Sequence, residues 1–370
     1  MRTVRRLLYR DIVASVLFVA LAFLSLFFFI DFVDELDGVG RQGRTAWHAV
    51  LAAGYEVPGH FYELFPIAVL IGSIYSLARM AQSSEFTILR TGGLGPGRAL
   101  GLLAALGVAF AIATFVVGDF VAPFSEREAV LLKARTSGGL KFDGAGAWLK
   151  ERHATPEGER SYSVNVAGTK ADGSLSGIRI FEFDNHGRLT SRLQAQQGHV
   201  DDAGTWTLLG VEEARWNAAP ASELPRVELR SVASLQWHSA LPAKVVAAAV
   251  LPLSTMTTAE LWRYSRHLSG QEQAAQRHEI RFWKKALYPL ACLVMVALAL
   301  PFAYMHARSG SVSLKVFGGI MLGISFVLLN NLASHMGLLN DWTPWVVAAL
   351  PSFLYLLLSL AAFTWLVRYR

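Results

Sequence analysis

The chain has 370 residues, of which 53% are hydrophobic and only 17% are charged, and its formal net charge is +6. Soluble globular chains carry about a quarter charged residues, so this composition argues against a wholly soluble protein. The apolar residues are concentrated towards both ends, whereas residues 134–260 have the composition of a soluble domain. The single cysteine, Cys292, excludes a disulfide within the chain and says nothing about the redox compartment.

Six apolar segments are predicted to span a membrane, since a helix needs about 20 apolar residues to cross the hydrocarbon core. In chain order they are residues 12–30, 57–78, 99–118, 286–305, 316–339 and 345–367. The second is the weakest because Glu63 and two prolines interrupt it. The first follows a basic segment, as in a signal peptide, but it is long and no small-residue cleavage site follows it, which predicts a retained anchor.

Arginine and lysine lie mainly on one side of these spans, which indicates the cytoplasmic side. The short loop on the other side, residues 338–344, has Asp341 and no base. Both termini are therefore predicted to be cytoplasmic, and residues 134–260 to lie outside. The basic residues behind this orientation are Arg2, Arg5, Arg6, Arg10, Arg79, Arg90, Arg98, Arg308, Lys315, Arg368 and Arg370. They account for most of the basic excess, so no nucleic-acid partner is expected.

The loop between the second and third spans has the pattern of a short amphipathic helix. Ser83 or Ser84 is the predicted N-cap, and Glu85 then lies in the first turn, where a negative charge suits the helix dipole. Three apolar side chains lie in this loop rather than in the bilayer, namely Met80, Phe86 and Leu89. Such a helix either lies on lipid or fills a groove on a partner protein, and Glu85 favours a partner with a basic surface.

Residues 134–255 show short alternating runs between turn residues, which is typical of antiparallel β structure. The runs are residues 160–168, 175–183, 188–196, 205–216 and 226–237. Turn signals separate them at residues 172–173, 184–187 and 202–204. The pattern predicts a sandwich, a jelly roll or an open barrel. Both a purely structural domain and one with an apolar groove for a molecule from the membrane fit this pattern.

Residues 256–285 return to helical character and lead into the fourth span. Thr257 and Glu260 have the spacing of a capping box, and Gly270 is predicted to break the helix. A basic cluster then lies at the outer membrane face, and it consists of Arg277, Arg281, Lys284 and Lys285. These side chains either reach phospholipid phosphates or contact an anionic amphiphile.

Motifs of common catalytic sites are missing from the sequence. It contains no G-x-x-x-x-G-K-[ST] phosphate-binding loop, no H-E-x-x-H zinc motif and no G-x-S-x-G nucleophile turn. We therefore predict a non-catalytic chain without a cofactor of its own. A transporter subunit and a membrane-anchored envelope receptor or assembly scaffold both fit these features.

Four stretches together resemble those of a known family. They are residues 29–36 (FIDFVDEL), residues 80–85 with 90–93 (MAQSSE and RTGG), residues 118–123 (GDFVAP), and residues 261–289 from LWRY through LSGQ and WK to the proline. In this order and spacing the chain resembles the LptF/LptG family of lipopolysaccharide export permeases over its whole length, and LptG more than LptF.

The resemblance implies an inner-membrane permease with six transmembrane helices and a periplasmic β-jellyroll-like domain inserted between helices three and four. The implied domains are spans and coupling helix in 1–133, β domain in 134–255, helical connector in 256–285 and spans in 286–370. The implied partners are an LptF-like permease, two copies of an LptB-like ATPase and an LptC-like single-helix protein. ATP and Mg²⁺ would be used by the ATPase alone, and lipopolysaccharide would leave the shared cavity towards a periplasmic bridge.

The resemblance also implies two sets of site residues. Those expected to couple to the ATPase are Arg79, Met80, Ser84, Glu85, Phe86, Leu89 and Arg90, with Glu85 as the acidic residue of the coupling helix. Those expected near the lipopolysaccharide are Asp31, Asp37, Arg41, Arg44, Arg281, Lys284 and Lys285. Asp31 and Asp37 occupy the region where some members carry lysines, and they would repel phosphate unless divalent cations bridge the two. The five basic residues of this set are expected to take over the contact with phosphate.

Overall fold

A computed structural model describes most of the chain. The described residues are 2–40, 44–136, 140–141, 147–155, 158–169, 174–201, 204–216, 227–239, 255–267, 272–304 and 312–368. The chain forms two compact units. The helical unit consists of Met1–Asp37, Ala53–Glu126 and Thr257–Arg370, and the second unit of Gly38–Ala52 and Arg127–Met256.

Ten α-helices lie in the described residues and are numbered in chain order. They are α1 (Arg2–Leu36), α2 (Ala46–Gln82), α3 (Glu85–Thr91), α4 (Pro96–Val116), α5 (Ala122–Thr136), α6 (Thr258–His267), α7 (Glu272–Leu287), α8 (Leu290–Tyr304), α9 (Val312–Leu339) and α10 (Pro344–Arg368). A π-helical turn, Val117–Val121, joins α4 to α5.

Five helical stretches of the described chain are long and apolar enough to cross a membrane. They are Val4–Leu36, Ala46–Gln82, Pro96–Lys133, Val312–Leu339 and Pro344–Trp365. A sixth is formed by Gln276–Leu287 and Leu290–Tyr304, which are bent by 51° at a short break containing Pro289. Proline lacks the N–H group that would continue the helix, so the bend has a local cause. The predicted class, a helical membrane protein with six spans and an inserted β domain, is confirmed, with a broken fourth span.

The second span differs most from its sequence pattern. Helix α2 has 37 residues and continues through both Pro58 and Pro66. Its middle turns are buried on all sides, with Leu70, Ile74 and Leu77 at 0% exposure. Each proline removes one helical hydrogen bond, but this burial offsets the loss because α2 is the central helix of its unit.

Close helix contacts around α2 depend on glycine. A Cβ atom added to Gly72 would lie 2.6 Å from the Cα atom of Val16, so α1 and α2 touch backbone to backbone there. On another side of α2, a Cβ at Gly323 would lie 2.7 Å from the side chain of Ile67. Small residues at such crossings are the usual means by which membrane helices pack closely.

The π-helical turn at the end of the third span carries Asp119, whose side chain contacts the start of α6. The backbone N–H of Thr258 donates to Asp119 at 2.7 Å. The predicted capping box is confirmed, because the N–H of Thr257 donates to Glu260 at 2.8 Å and the N–H of Glu260 donates to the Thr257 hydroxyl at 3.2 Å. Together these contacts satisfy the first donors of α6.

The second unit contains a seven-stranded antiparallel sheet. Its strands are β1 (Leu140–Lys141), β2 (Ala147–Thr155), β3 (Gly158–Thr169), β4 (Leu175–Phe183), β5 (Leu189–Val200), β6 (Thr205–Trp216) and β7 (Val227–His238). Strands β3 to β7 pair in chain order, and β1 and β2 both pair with β3. The predicted antiparallel β structure is confirmed, and the described strands form one sheet wound largely in chain order.

One face of the sheet forms the core of this unit. Along β5 and β6 buried and exposed residues largely alternate, as expected for strands with one covered face. Trp206 and Ile178 are fully buried, and the Trp206 ring meets the edge of Trp237 at 5.6 Å between centroids.

Two turns predicted from the sequence lie in this sheet. Gly187 and Gly204 have φ values of 75° and 84°, which glycine adopts without strain. In the first turn, backbone N–H groups of Arg188 and then His186 donate to Asp184, and these hydrogen bonds hold the pKa of Asp184 below its ordinary value. The turn signal at residues 172–173 and the predicted break at Gly270 lie outside the described residues.

Candidate functional site

The helical unit carries polar contacts at both ends of the α1–α2 pair. Near the start of α1, Asp11 accepts two hydrogen bonds of 2.6 Å from the guanidinium of Arg79. Near its end, Asp31 lies 2.7 Å from Nε2 of His60. Twenty helical residues separate Asp11 from Asp31, a rise of about 30 Å, which matches the thickness of a hydrocarbon core. The two contacts therefore mark opposite boundaries of one membrane layer.

Helix α3 lies at the Arg79 boundary and exposes one face. Glu85, Thr87 and Ile88 are exposed, and Ile88 is an apolar side chain at 67% exposure. Glu85 and Ile88 are three residues apart, so they share a face of the helix. An acidic side chain beside an exposed apolar one suits contact with a protein surface.

The opposite face of α3 belongs to the core of the chain. Phe86 is 2% exposed and Met80, just before α3, is 1% exposed. The Phe86 ring meets the edge of Tyr304, the last residue of α8, at 5.2 Å between centroids. The Arg90 guanidinium lies over the same tyrosine ring at 5.0 Å. Met80 and Phe86 thus hold α3 against its own chain, and their side chains are not exposed for contact with another protein.

Arg79 also acts within the chain. Its paired hydrogen bonds to Asp11, which also accepts one from Ser76 at 3.2 Å, join the start of α1 to the end of α2. A single guanidinium nitrogen, Nη2, donates to both carboxylate oxygens, and each of these bonds is charge-assisted. Arg79 therefore positions the segment that leads into α3.

The turn between α2 and α3 differs in detail from the predicted cap. Ser84 occupies the N-cap position, but its φ of 62° is left-handed and its hydroxyl makes no capping hydrogen bond. The Ser83 hydroxyl instead donates to the carbonyls of Arg79 and Met80, at 3.1 and 3.3 Å. A left-handed serine costs about 1 kcal/mol, so the sharp turn is held by the packing around it.

The residues predicted near the substrate fall into several places. Arg281, Lys284 and Lys285 follow one another along the last turns of α7. Lys285 interacts electrostatically with Asp119, Glu126 and Glu260, whereas Lys284 has Glu63 as its acidic neighbour. The carboxylates around Lys285 already offset its charge, so Arg281 and Lys284 are the stronger attraction for an anion.

The remaining predicted substrate residues do not join this group. Asp31 is engaged with His60, and Asp37 is exposed in the turn that follows α1. Arg44 belongs to the second unit, and Arg41 lies outside the described residues.

Two features of the site were missed at the sequence level. Ile88 is the exposed apolar residue of α3, and its spacing of three from Glu85 was the available signal. Glu56 and His60 lie beside Asp31. Their spacing of four residues, which places them on one face of a helix, was the available signal.

The fold and the site define a multi-pass helical membrane protein with an inserted β domain and a short helix exposed at one membrane boundary. Residues 6–366 match the family model described as lipopolysaccharide export system permease LptF/LptG. The chain is 24% identical over 361 residues to the lipopolysaccharide export system permease protein LptG of Haemophilus influenzae, covering 96% of each chain. It is 26% identical over 358 residues to the LptG protein of Escherichia coli K12, again covering 96% of each.

The chain belongs to the LptF/LptG family. The resemblance noted from the sequence is therefore confirmed, and the relatives are LptG proteins. Membership makes the chain a lipopolysaccharide export permease, a multi-pass protein of the inner membrane and a transport component rather than an enzyme by family.

Proposed function

We propose that this chain is the LptG-type subunit of an ABC transporter that extracts lipopolysaccharide from the inner membrane and passes it to a periplasmic bridge. The observation that carries the proposal is the exposed Glu85–Ile88 face of α3, anchored by the buried Phe86. This chain has no phosphate-binding loop, so the energy must come from a separate ATPase. An LptB-like ATPase dimer would bind ATP and Mg²⁺, and this chain would bind neither of them.

The same face supports α3 as the coupling helix. Glu85 carries charge, Ile88 supplies apolar area, and the opposite side of α3 is packed against the core. A contact made by Glu85 and Ile88 is thereby joined directly to the spans, since Phe86 touches Tyr304 of α8. A helix that binds a partner through its exposed face and packs on the spans through its buried face can pass the partner's movement to the spans, as coupling requires.

Exposed apolar side chains on the spans support an assembly in the membrane. Phe18 on α1, Leu328 on α9 and Trp365 on α10 are each more than 60% exposed. Lipid or a neighbouring helix must cover them, because contact with water would cost about 25 cal/mol per Å². An LptF-like permease and the single helix of an LptC-like protein are the proposed protein neighbours, and lipid covers the rest.

The basic end of α7 is the proposed contact for anionic groups of lipopolysaccharide. Arg281 and Lys284 lie one turn apart there, with the partly exposed Trp283 beside them. Charge for phosphate and an aromatic surface for the apolar part of the molecule together suit an amphiphile.

The orientation follows from the same assignment, with both termini and α3 cytoplasmic and the β domain periplasmic. It can be tested by single-cysteine labelling, because the native Cys292 is fully buried. Gln194→Cys, on an exposed position of β5, should react with a membrane-impermeant maleimide in spheroplasts, and Arg98→Cys should react only after lysis. The reverse pattern would contradict the orientation.

The coupling proposal is tested by purifying the chain from membranes and identifying the proteins that accompany it. An ATPase should be recovered with the parent protein and with Glu212→Lys, which makes the same charge change at an exposed position of β6. Glu85→Lys should lower its recovery at least about 30-fold, since losing one partner of an interfacial charge pair costs about 2–5 kcal/mol. Equal recovery with Glu85→Lys, at unchanged thermal stability, would refute the coupling role.

The substrate proposal needs its own variants. In the assembled transporter, Arg281→Glu together with Lys284→Glu should reduce both lipopolysaccharide transport and the ATPase stimulation that lipopolysaccharide causes. Arg263→Glu, at an exposed position of α6, is the control with the same charge change per residue. If the double variant transports as well as the control, the end of α7 does not contact the substrate.

A further inference from the structure

A cluster of three potential metal ligands lies at the end of the α1–α2 pair opposite α3. Asp31 comes from α1, and Glu56 and His60 come from α2. One ligand atom from each of the three side chains lies within 4.8 Å of the other two. Nε2 of His60 lies 2.7 Å from a carboxylate oxygen of Asp31.

The backbone fixes all three positions. Glu56 and His60 are four residues apart, so they lie one above the other on the same face of α2. Asp31 reaches them because α1 runs alongside α2, in the close packing that Gly72 permits. The ring of Phe27 lies 4.9 Å from the His60 ring, centroid to centroid, which restricts how the imidazole can turn.

A hydrogen bond between histidine and aspartate explains only part of this arrangement. It needs one carboxylate, yet Glu56 brings a second one within 4.8 Å of the same imidazole. A cation bound by all three side chains would offset the mutual repulsion of the two carboxylates. The Asp31 and His60 side chains keep 14% and 22% of their surface exposed, so the cluster is recessed but still accessible from solvent.

The donor set indicates which cation fits. Zinc binds both imidazole nitrogen and carboxylate oxygen, and a site with three protein ligands leaves a position open; manganese and iron(II) also accept these ligand types. Magnesium and calcium prefer oxygen ligands alone and would gain little from His60. The neutral imidazole binds a metal through Nε2 once its proton is on Nδ1, and this shift requires no other reactant.

We propose that Asp31, Glu56 and His60 bind a divalent transition-metal ion of the zinc class, with at least one coordination position left to water or another oxygen ligand. The ion clamps the outer end of α1 to α2, as the Arg79–Asp11 pair joins the other end. This site stands independently of the coupling and substrate roles, because it depends only on contacts within the α1–α2 pair.

The test is metal binding by the full chain in lipid nanodiscs, without a histidine tag and after treatment with a chelator. Zn²⁺ is titrated in competition with a chromophoric chelator, and Co²⁺ is used as a spectroscopic substitute whose visible absorption reports nitrogen coordination. The parent should bind one equivalent of Zn²⁺ tightly. Asp31→Asn, Glu56→Gln and His60→Gln should each weaken binding at least about 10-fold, and His60→Gln should change the Co²⁺ spectrum.

Matched controls are Asp341→Asn and His335→Gln, which change exposed side chains of the same types outside the α1–α2 pair. Both should bind Zn²⁺ as the parent does, and the ligand variants should match the metal-free parent in thermal stability within a few degrees. Equal Zn²⁺ affinity in the parent and in the three ligand variants would overturn the proposal. So would displacement of Zn²⁺ by millimolar Mg²⁺, or a parent whose Co²⁺ spectrum is that of the hydrated ion.

Discussion

Truncating Phe86 should lower the stability of the chain, whereas truncating Ile88 should weaken partner binding and leave the stability unchanged. Phe86 is 2% exposed and packs edge-on against Tyr304, whereas Ile88 is 67% exposed. Phe86→Ala removes a fully buried ring and should cost about 3–5 kcal/mol of unfolding free energy. Ile88→Ala should change stability by less than about 0.5 kcal/mol, because the side chain is already largely in contact with solvent.

The expected effect on ATPase binding follows from the exposed part of Ile88. Burying a whole isoleucine side chain contributes about 1.5–3 kcal/mol. The 67% that Ile88 exposes in the free chain would therefore contribute about 1–2 kcal/mol in the complex. Ile88→Ala should weaken ATPase association by about 5–30-fold at unchanged stability.

The assay is thermal unfolding in nanodiscs, followed by titration of the purified ATPase onto the folded fraction of each variant. Thr87→Ala, also on an exposed position of α3, is the control for a small truncation. If Phe86→Ala leaves the unfolding temperature unchanged but weakens ATPase binding, Phe86 faces the partner and the assignment of the two faces of α3 is wrong. If Ile88→Ala binds the ATPase as Thr87→Ala does, Ile88 is outside the contact.

Three further predictions concern the rest of the fold. Gly72→Ala should lower the unfolding free energy in nanodiscs by about 1–3 kcal/mol through overpacking. Gly54→Ala on the same helix is the control, because a Cβ there meets nothing within 4 Å, and it should raise the unfolding free energy by about 0.5–1 kcal/mol. Equal effects of the two variants would contradict the close contact of α1 and α2. Arg79→Lys and Asp11→Asn should each cost about 1 kcal/mol or less in this partly exposed pair, and additive losses in the double variant would show that the two side chains do not interact. Trp206→Ala should cost the β domain about 3–5 kcal/mol, measured as earlier loss of its tryptophan fluorescence signal on heating, and an unchanged transition would place Trp206 outside the core.

The sequence predicts this fold well where the signal is local. Long apolar runs identify spans by length alone, and alternation with turn residues identifies strands such as β5 and β6. The capping box at Thr257 and Glu260 was also predictable, because all its atoms lie within four residues.

The sequence predicts less well where distant parts of the chain decide the outcome. Helix α2 continues through Pro58 and Pro66 because neighbouring helices bury it, and no local pattern reports that burial. The amphipathic pattern of α3 shows that the helix has two faces, but it does not show that Phe86 faces its own chain. The approach of Asp31 to His60 joins residues 29 positions apart and follows only from the packing of α1 against α2.

The two faces of α3 have a consequence for how force would travel through this chain. Phe86 touches Tyr304 at the end of α8, and Tyr304 in turn lies 6.1 Å from the ring of Phe363 on α10. A partner that moves Glu85 therefore pushes directly on the ends of two spans rather than on a flexible loop. Protein cores are close-packed and transmit such displacement with little loss. Arg79 fixes the end of α2 to α1 in the same region, so a displacement of α3 reaches the spans through α8 and α10 and through the α1–α2 pair at once. Coupling by this route requires a stiff anchor, and Phe86→Leu, which keeps apolar volume but loses the aromatic contact, should lower transport more than it lowers ATPase binding.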